Sequence, residues 1–264
     1  MSTQPIGVMD SGIGGLTVWQ ELIKIMPGEN YLYFGDSEFC PYGSKDSEEI
    51  IPRVKKIIHF LIENECKIIV VACNAITASS IEFLRKNYSI PFIGMEPAIK
   101  PALIETKTKA IGVLATEQTL KGKLFYNTKA KYARGINIVE QVGHGLVEKV
   151  EAYDFDSEST IQILKKYLNP MLKKNIDFLV LGCTHYPFLQ ESIKKILGDK
   201  ITILNPAAAV ARQTSNILEK MKLKMECGKI RGESIFFTTG DSEKMKHILS
   251  VINGADYEIR SISI

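Results

Sequence analysis

Along the 264 residues, short runs of β-branched and aromatic residues alternate with longer stretches in which apolar side chains recur every three or four positions. The short runs read as strands and the longer ones as amphipathic helices. Strands are predicted at IGVM (6–9), YLYF (31–34), KIIVVA (67–72), PFIGM (91–95), AIGVLA (110–115), INIVEQV (136–142), FLVLG (178–182), ITIL (201–204) and IFFTT (235–239). LTVWQELIKIM, closed by Pro27 and Gly28, and STIQILKKYLNPMLKKN are helix-period segments between them. Pro52 lacks an N–H, so the helix after SKDSEEI is expected to begin late or to kink. Such alternation predicts an α/β fold with mainly parallel sheets covered on both faces.

The pattern also repeats. GVMDS at 7–11 resembles GVLAT at 112–116, and IIVVACN at 68–74 resembles FLVLGCT at 178–184. Asp10 precedes Cys73 by 63 residues and Ala115 precedes Cys183 by 68. Two related α/β halves, doubly wound and related by pseudo-symmetry, are therefore expected, each ending one strand in a thiol.

Composition narrows the class. The formal charge of +3 is small and its lysines and arginines are scattered, which disfavours a nucleic-acid partner. The start MSTQPIGVMDSG lacks a signal peptide's basic and apolar regions, and no run of 18 apolar residues occurs, so neither a membrane nor export is expected. The five cysteines (Cys40, Cys66, Cys73, Cys183, Cys227) are odd in number and widely spaced, as expected of reduced thiols in a cytoplasmic protein.

Cys40, Cys66 and Cys227 lack polar companions and are read as small packing residues. Cys73 and Cys183 stand instead in ACNAIT and GCTHYP, just past a predicted strand and just before a predicted helix. In an open α/β sheet that is the edge where ligands bind, and a helix N-terminus there favours thiolate. Three chemistries use two thiols. Metal binding is weakly supported, because no C-x-x-C occurs and only four histidines are present. A redox pair lacks adjacent cysteines. Proton transfer at carbon, with one base on each face, would hold the sulfurs roughly 7 Å apart, since reacting atoms approach to about 3 to 3.5 Å.

Nearby motifs suit a small anionic ligand. DSGIGG (10–15) follows a strand and opens a helix, yet its G-x-G-G spacing and lack of a following lysine argue against a nucleotide loop. Asp10 can accept from an ammonium or assist a base; its alternative role is helix capping, shared with Ser11. CPYGS (40–44) is a turn in which Pro41 fixes φ, and its amides and Ser44 can hold a carboxylate. No arginine occurs in these motifs, so Ser11, Ser44, Asn74 and Thr184 would replace an arginine fork. His185 can hold or trade a proton beside Cys183.

DSGIGGLTV, PYGSK, ACNxxT, IGVLAT, LGCTHYP and FFTTGD, in that order and across essentially the whole chain, resemble the glutamate racemases of the aspartate/glutamate racemase superfamily. The resemblance implies a two-base racemase that needs no cofactor and no metal and makes D-glutamate for peptidoglycan. It implies two α/β domains, 1–97 plus 208–264 and 98–207, with the active site in the cleft between them, and it leaves room for a homodimer. Carried onto matching positions, Cys73 would act on D-glutamate and Cys183 on L-glutamate, assisted by Asp10, His185 and Glu151. Ser11, Pro41, Tyr42, Gly43, Ser44, Asn74, Ala75 and Thr184 would contact substrate, with Asp10 and His185 beside them.

The sequence departs from the family at three places. Ala75 and Ile76 stand where the family has Thr after Cys-Asn, which removes a hydroxyl worth about 1 to 3 kcal/mol unless Thr77 or the Ala75 N–H replaces it. NPAAA (205–209) stands for Asp-Ser-Ala. The first strand begins near the chain start, so the N-terminal extension of members regulated by a cell-wall precursor is expected to be missing. Two rivals follow: the same mechanism on aspartate or another amino acid, and a non-catalytic α/β binding protein.

Overall fold

A computed structural model describes residues 3–225 and 231–264. Cys227 lies outside the described residues. The strands are β1 (Ile6–Asp10), β2 (Tyr31–Gly35), β3 (Ile68–Val71), β4 (Phe92–Gly94), β5 (Ala110–Ala115), β6 (Asn137–Val142), β7 (Phe178–Gly182), β8 (Thr202–Leu204), β9 (Ser234–Thr238) and β10 (Glu258–Ser261). The helices are α1 (Leu16–Ile25), α2 (Ser47–Glu63), α3 (Asn74–Asn87), α4 (Ile99–Glu105), α5 (Glu117–Lys121), α6 (Lys123–Tyr132), α7 (Leu146–Glu151), α8 (Glu158–Leu172), α9 (Gln190–Leu197), α10 (Ala207–Lys220) and α11 (Ser242–Asn253). None of them is long and apolar enough to cross a membrane.

Every strand pairing is parallel. The chain divides into two compact units, Met1–Met95 with Ala207–Ile264, and Glu96–Pro206. The first holds a six-stranded sheet in the order β10-β9-β2-β1-β3-β4, the second a four-stranded sheet in the order β6-β5-β7-β8. The order β2-β1-β3-β4 in one is thus matched by β6-β5-β7-β8 in the other, as the internal echo predicts. In each, the chain leaves its first strand to one side and returns on the other. That reversal opens a crevice at the carboxyl ends of β1 and β3, and likewise of β5 and β7.

All nine predicted strands are present. The tenth, β10, is an edge strand of sequence EIRS whose charged residues conceal the strand signal and protect the open edge. It stays in place because β9 pairs with β2 and because Trp19 of α1 packs edge-on against Phe236 and Tyr257, with ring centroids 5.0 and 5.2 Å away. Helix α2 begins ahead of Pro52 rather than after it. Asp46 and Glu49 form a capping box, and Ile50, Val54, Ile57, Ile58 and Leu61 make one buried stripe.

Cys66 fits its packing role. A Cβ on Gly7 would lie 3.0 Å from its sulfur, so glycine is what lets the two meet. Burial pushes the Cys66 thiol up to about 12. An unfolded thiol ionises near ~8.5. The resulting contribution to stability is therefore complete below that pH and is lost as pH rises toward about 12. Unfolding free energy measured from pH 8 to 11 should fall more steeply in the parent protein than in Cys66→Ala; equal slopes would refute the assignment. Cys40, by contrast, is only half-buried.

Candidate active site

Each crevice carries one thiol. In the first unit β3 runs out at Val71, and Cys73 becomes the N-cap of α3 with extended backbone, φ −120° and ψ 125°. First-turn N–H groups of a helix have no intrahelical acceptor, so negative charge at this position is favoured. The Cys73 sulfur lies 3.6 Å from the Ser11 hydroxyl. Asp10, at the end of β1, is fully buried and its Oδ1 accepts from the Gly12 N–H at 3.0 Å. Helix α1 starts only at Leu16 with Gly15 as its N-cap, so neither Asp10 nor Ser11 caps it. Tyr33 donates to the Gly12 carbonyl at 2.8 Å and fixes the loop from beneath.

Asn74 donates to the Met95 carbonyl at 3.1 Å, while its Oδ1 is buried and, among the described residues, has no hydrogen-bond partner. Such an orphaned acceptor suits a donor brought by a ligand. Ala75 is buried in the first turn of α3, where its N–H is one of the uncommitted donors. Thr77 does not replace the missing hydroxyl. Its Oγ1 donates to the Val71 carbonyl at 3.2 Å and accepts from the Met95 N–H at 2.9 Å, so it is spent on backbone.

The turn Tyr42–Ser44 follows a cis Cys40–Pro41 peptide and packs against α3. Pro41 and Gly43 are half-buried and Ser44 is exposed. The Tyr42 phenol is buried and donates to Asp36 Oδ2 at 2.6 Å. Burial, then the Asp36 carboxylate, then nearby Cys73 push it far above its ordinary pKa, so it is a fixed donor rather than a base. Asp36 escaped the sequence reading. Its buried carboxylate also accepts from Arg53 at two atoms and from the Thr239 hydroxyl, all at 2.8 Å, and its N–H donates to the Asp10 carbonyl at 3.0 Å. An acid directly after a strand, in FGDS, was the available signal.

In the second unit Cys183 follows β7, but no α-helix starts beside it. A 3-10 turn, Tyr186–Leu189, comes first, and α9 opens only at Gln190. The helix-terminus argument therefore holds for Cys73 and not for Cys183. Cys183 has His185 instead: its sulfur lies 3.8 Å from His185 Nδ1, and His185 Nε2 lies 2.6 Å from Glu151 Oε1. An ionised carboxylate only accepts, so Nε2 carries a proton and Nδ1 is left to exchange one with the thiol. Thr184 and His185 are buried, and Glu151 is partly exposed at the end of α7. The structure thus gathers Asp10, Ser11, Cys73, Asn74 and Ala75 at one sheet edge, and Cys183, Thr184, His185 and Glu151 at the other.

Comparison with known proteins agrees with this chemistry. Residues 6–214 match the family described as Asp/Glu/Hydantoin racemase. A glutamate racemase of Herpetosiphon aurantiacus is 42% identical over 241 residues, 91% of this chain and 94% of its own. Among solved structures, glutamate racemase isoform RacE1 from Bacillus anthracis has a TM-score of 0.89 at 34% identity, covering 100% of this chain and 99% of that one. The glutamate racemase from Francisella tularensis in complex with D-glutamate has a TM-score of 0.84 at 29% identity, covering 100% and 98%.

Proposed function

The chain belongs to the Asp/Glu/hydantoin racemase family, and from that membership we propose that it interconverts L- and D-glutamate, supplying D-glutamate for peptidoglycan. The observation that carries the mechanism is that in each unit a thiol follows a central strand in a polar setting, Cys73 at the N-terminus of α3 beside the Ser11 hydroxyl and Cys183 beside the His185 imidazole. Cys183 as thiolate removes the α-hydrogen of L-glutamate; the C–H electron pair stays on the α-carbon, and Cys73 as thiol delivers a proton to the opposite face. D-glutamate runs the same steps in reverse, with Cys73 as base. His185, held by Glu151, takes up or returns the Cys183 proton, and Asp10 and the α3 N-terminus serve Cys73.

The substrate is held without an arginine fork. Ser11, the turn at Pro41, Tyr42, Gly43 and Ser44, the Ala75 N–H, Asn74 and Thr184 supply its polar contacts, with Asp10 and His185 beside them. The reaction needs neither cofactor nor metal, because both proton carriers are side chains. We place the protein in the cytoplasm, where the cysteine pattern is at home.

Incubation of L-glutamate with the protein in deuterated water tests this reading. The optical signal should decay to zero while deuterium enters the α position of the D-glutamate formed. Exchange of aspartate but not glutamate would move the activity to that rival substrate. Glutamate binding without any α-exchange would leave only the non-catalytic rival.

A further inference from the structure

Resting on that reading, we propose that Tyr186 is a positioning residue that sets Glu151 against His185 and so governs proton transfer at Cys183. Tyr186 follows His185 directly and is fully buried. Its hydroxyl donates to the Gly143 carbonyl at 3.2 Å, and a Cβ on Gly143 would lie 2.4 Å from that oxygen, so only glycine permits the approach. Gly143 is also held by its N–H to the Ala115 carbonyl at 3.0 Å. Tyr167 donates to the next carbonyl, that of His144, at 3.0 Å.

This turn launches α7. Gly145 is its N-cap in the left-handed conformation, φ 80°, and Glu151 is the last residue of its six. The start of α7 is therefore fastened to Tyr186, and its end to His185 through the Glu151 carboxylate. With two adjacent anchors on one segment, the short helix has little freedom to slide. Tyr186 carries no proton itself. Burial, and then the neighbouring Cys183, hold its phenol well above its ordinary pKa.

Tyr186→Phe keeps the ring and removes only the hydrogen bond. We expect kcat/KM to fall roughly 3- to 10-fold, the size of one lost hydrogen bond. The informative readout is the isotope effect on kcat/KM with α-deuterated substrate. A slower step at Cys183 enlarges it from L-glutamate, where Cys183 breaks the C–D bond. The same change shrinks it from D-glutamate, where Cys73 breaks that bond first. Tyr167→Phe should shift both effects in the same senses by less. In a Glu151→Gln background Tyr186→Phe should add nothing further. Unchanged isotope effects in folded Tyr186→Phe protein, or losses that multiply with Glu151→Gln, would overturn the proposal. Absence of racemization in the parent protein would instead overturn the functional reading.

Discussion

Cys73→Ala and Cys183→Ala should each lower kcat/KM for glutamate racemization by roughly 10²- to 10⁴-fold or more, the range expected when a positioned acid or base is removed. That loss corresponds to about 3 to 5 kcal/mol of transition-state stabilisation. It must also be equal from both enantiomers. L- and D-glutamate have the same free energy in water, so the ratio of the two kcat/KM values stays at unity in any variant. A binding residue would follow the same rule, and the two roles part elsewhere. Loss of one thiol blocks inversion while the remaining thiol can still exchange the α-hydrogen of its own enantiomer for deuterium with retention, whereas loss of a contact such as that of Asn74 weakens binding and slows exchange and inversion together. Circular dichroism of each enantiomer in deuterated water measures inversion, and the loss of the α-proton signal in NMR of the same samples measures exchange. Either alanine variant racemizing at the parent rate would end the two-base mechanism.

The second large effect falls on stability. Lys67 and Glu29 form an ion pair at 2.5 Å with both side chains only 1% exposed. Lys67 also donates to the Leu223 carbonyl at 2.9 Å, and Glu29 accepts from the Met225 N–H at 2.7 Å. The pair stands at the amino edge of the first sheet, just before β2 and β3, and ties the residues after α10 to it. Lys67→Met leaves a carboxylate buried without its counter-charge, a change that costs about 3 to 5 kcal/mol. At ~2 to 4 °C per kcal/mol, Tm should fall by roughly 6 to 20 °C. Lys67→Met with Glu29→Leu should lose less, because no lone charge remains. The thiols lie at the opposite edge of their sheets, so kcat of the folded variant at low temperature should match the parent. Calorimetry showing a single variant within about 2 °C of the parent would refute this account of the pair.

Local chemistry in the chain announced the strands, the two-fold echo and the pair of thiols. Each strand is a few consecutive apolar residues, and each thiol stands directly after one, so no knowledge of distant neighbours was needed. Where the local signal was mixed, the reading failed. The charged residues of β10 hid an edge strand, and Pro52 suggested a late helix start that the Asp46–Glu49 capping box overrides. Cys183 looked like a helix N-cap because the sequence THYP (184–187) does not distinguish a 3-10 turn from the first turn of an α-helix.

The amino-acid sequence by itself determined which residues form the strands and which two cysteines end them, since periodicity and adjacency are properties of neighbours in the chain. Only the tertiary structure decided what each thiol works with. His185 meets Glu151 across 34 residues, Tyr42 and Arg53 converge on Asp36, and the Thr77 hydroxyl turns to backbone instead of a ligand. These are choices among hydrogen-bond partners made after the sheets assemble, when burial obliges every polar group to find the partner within reach.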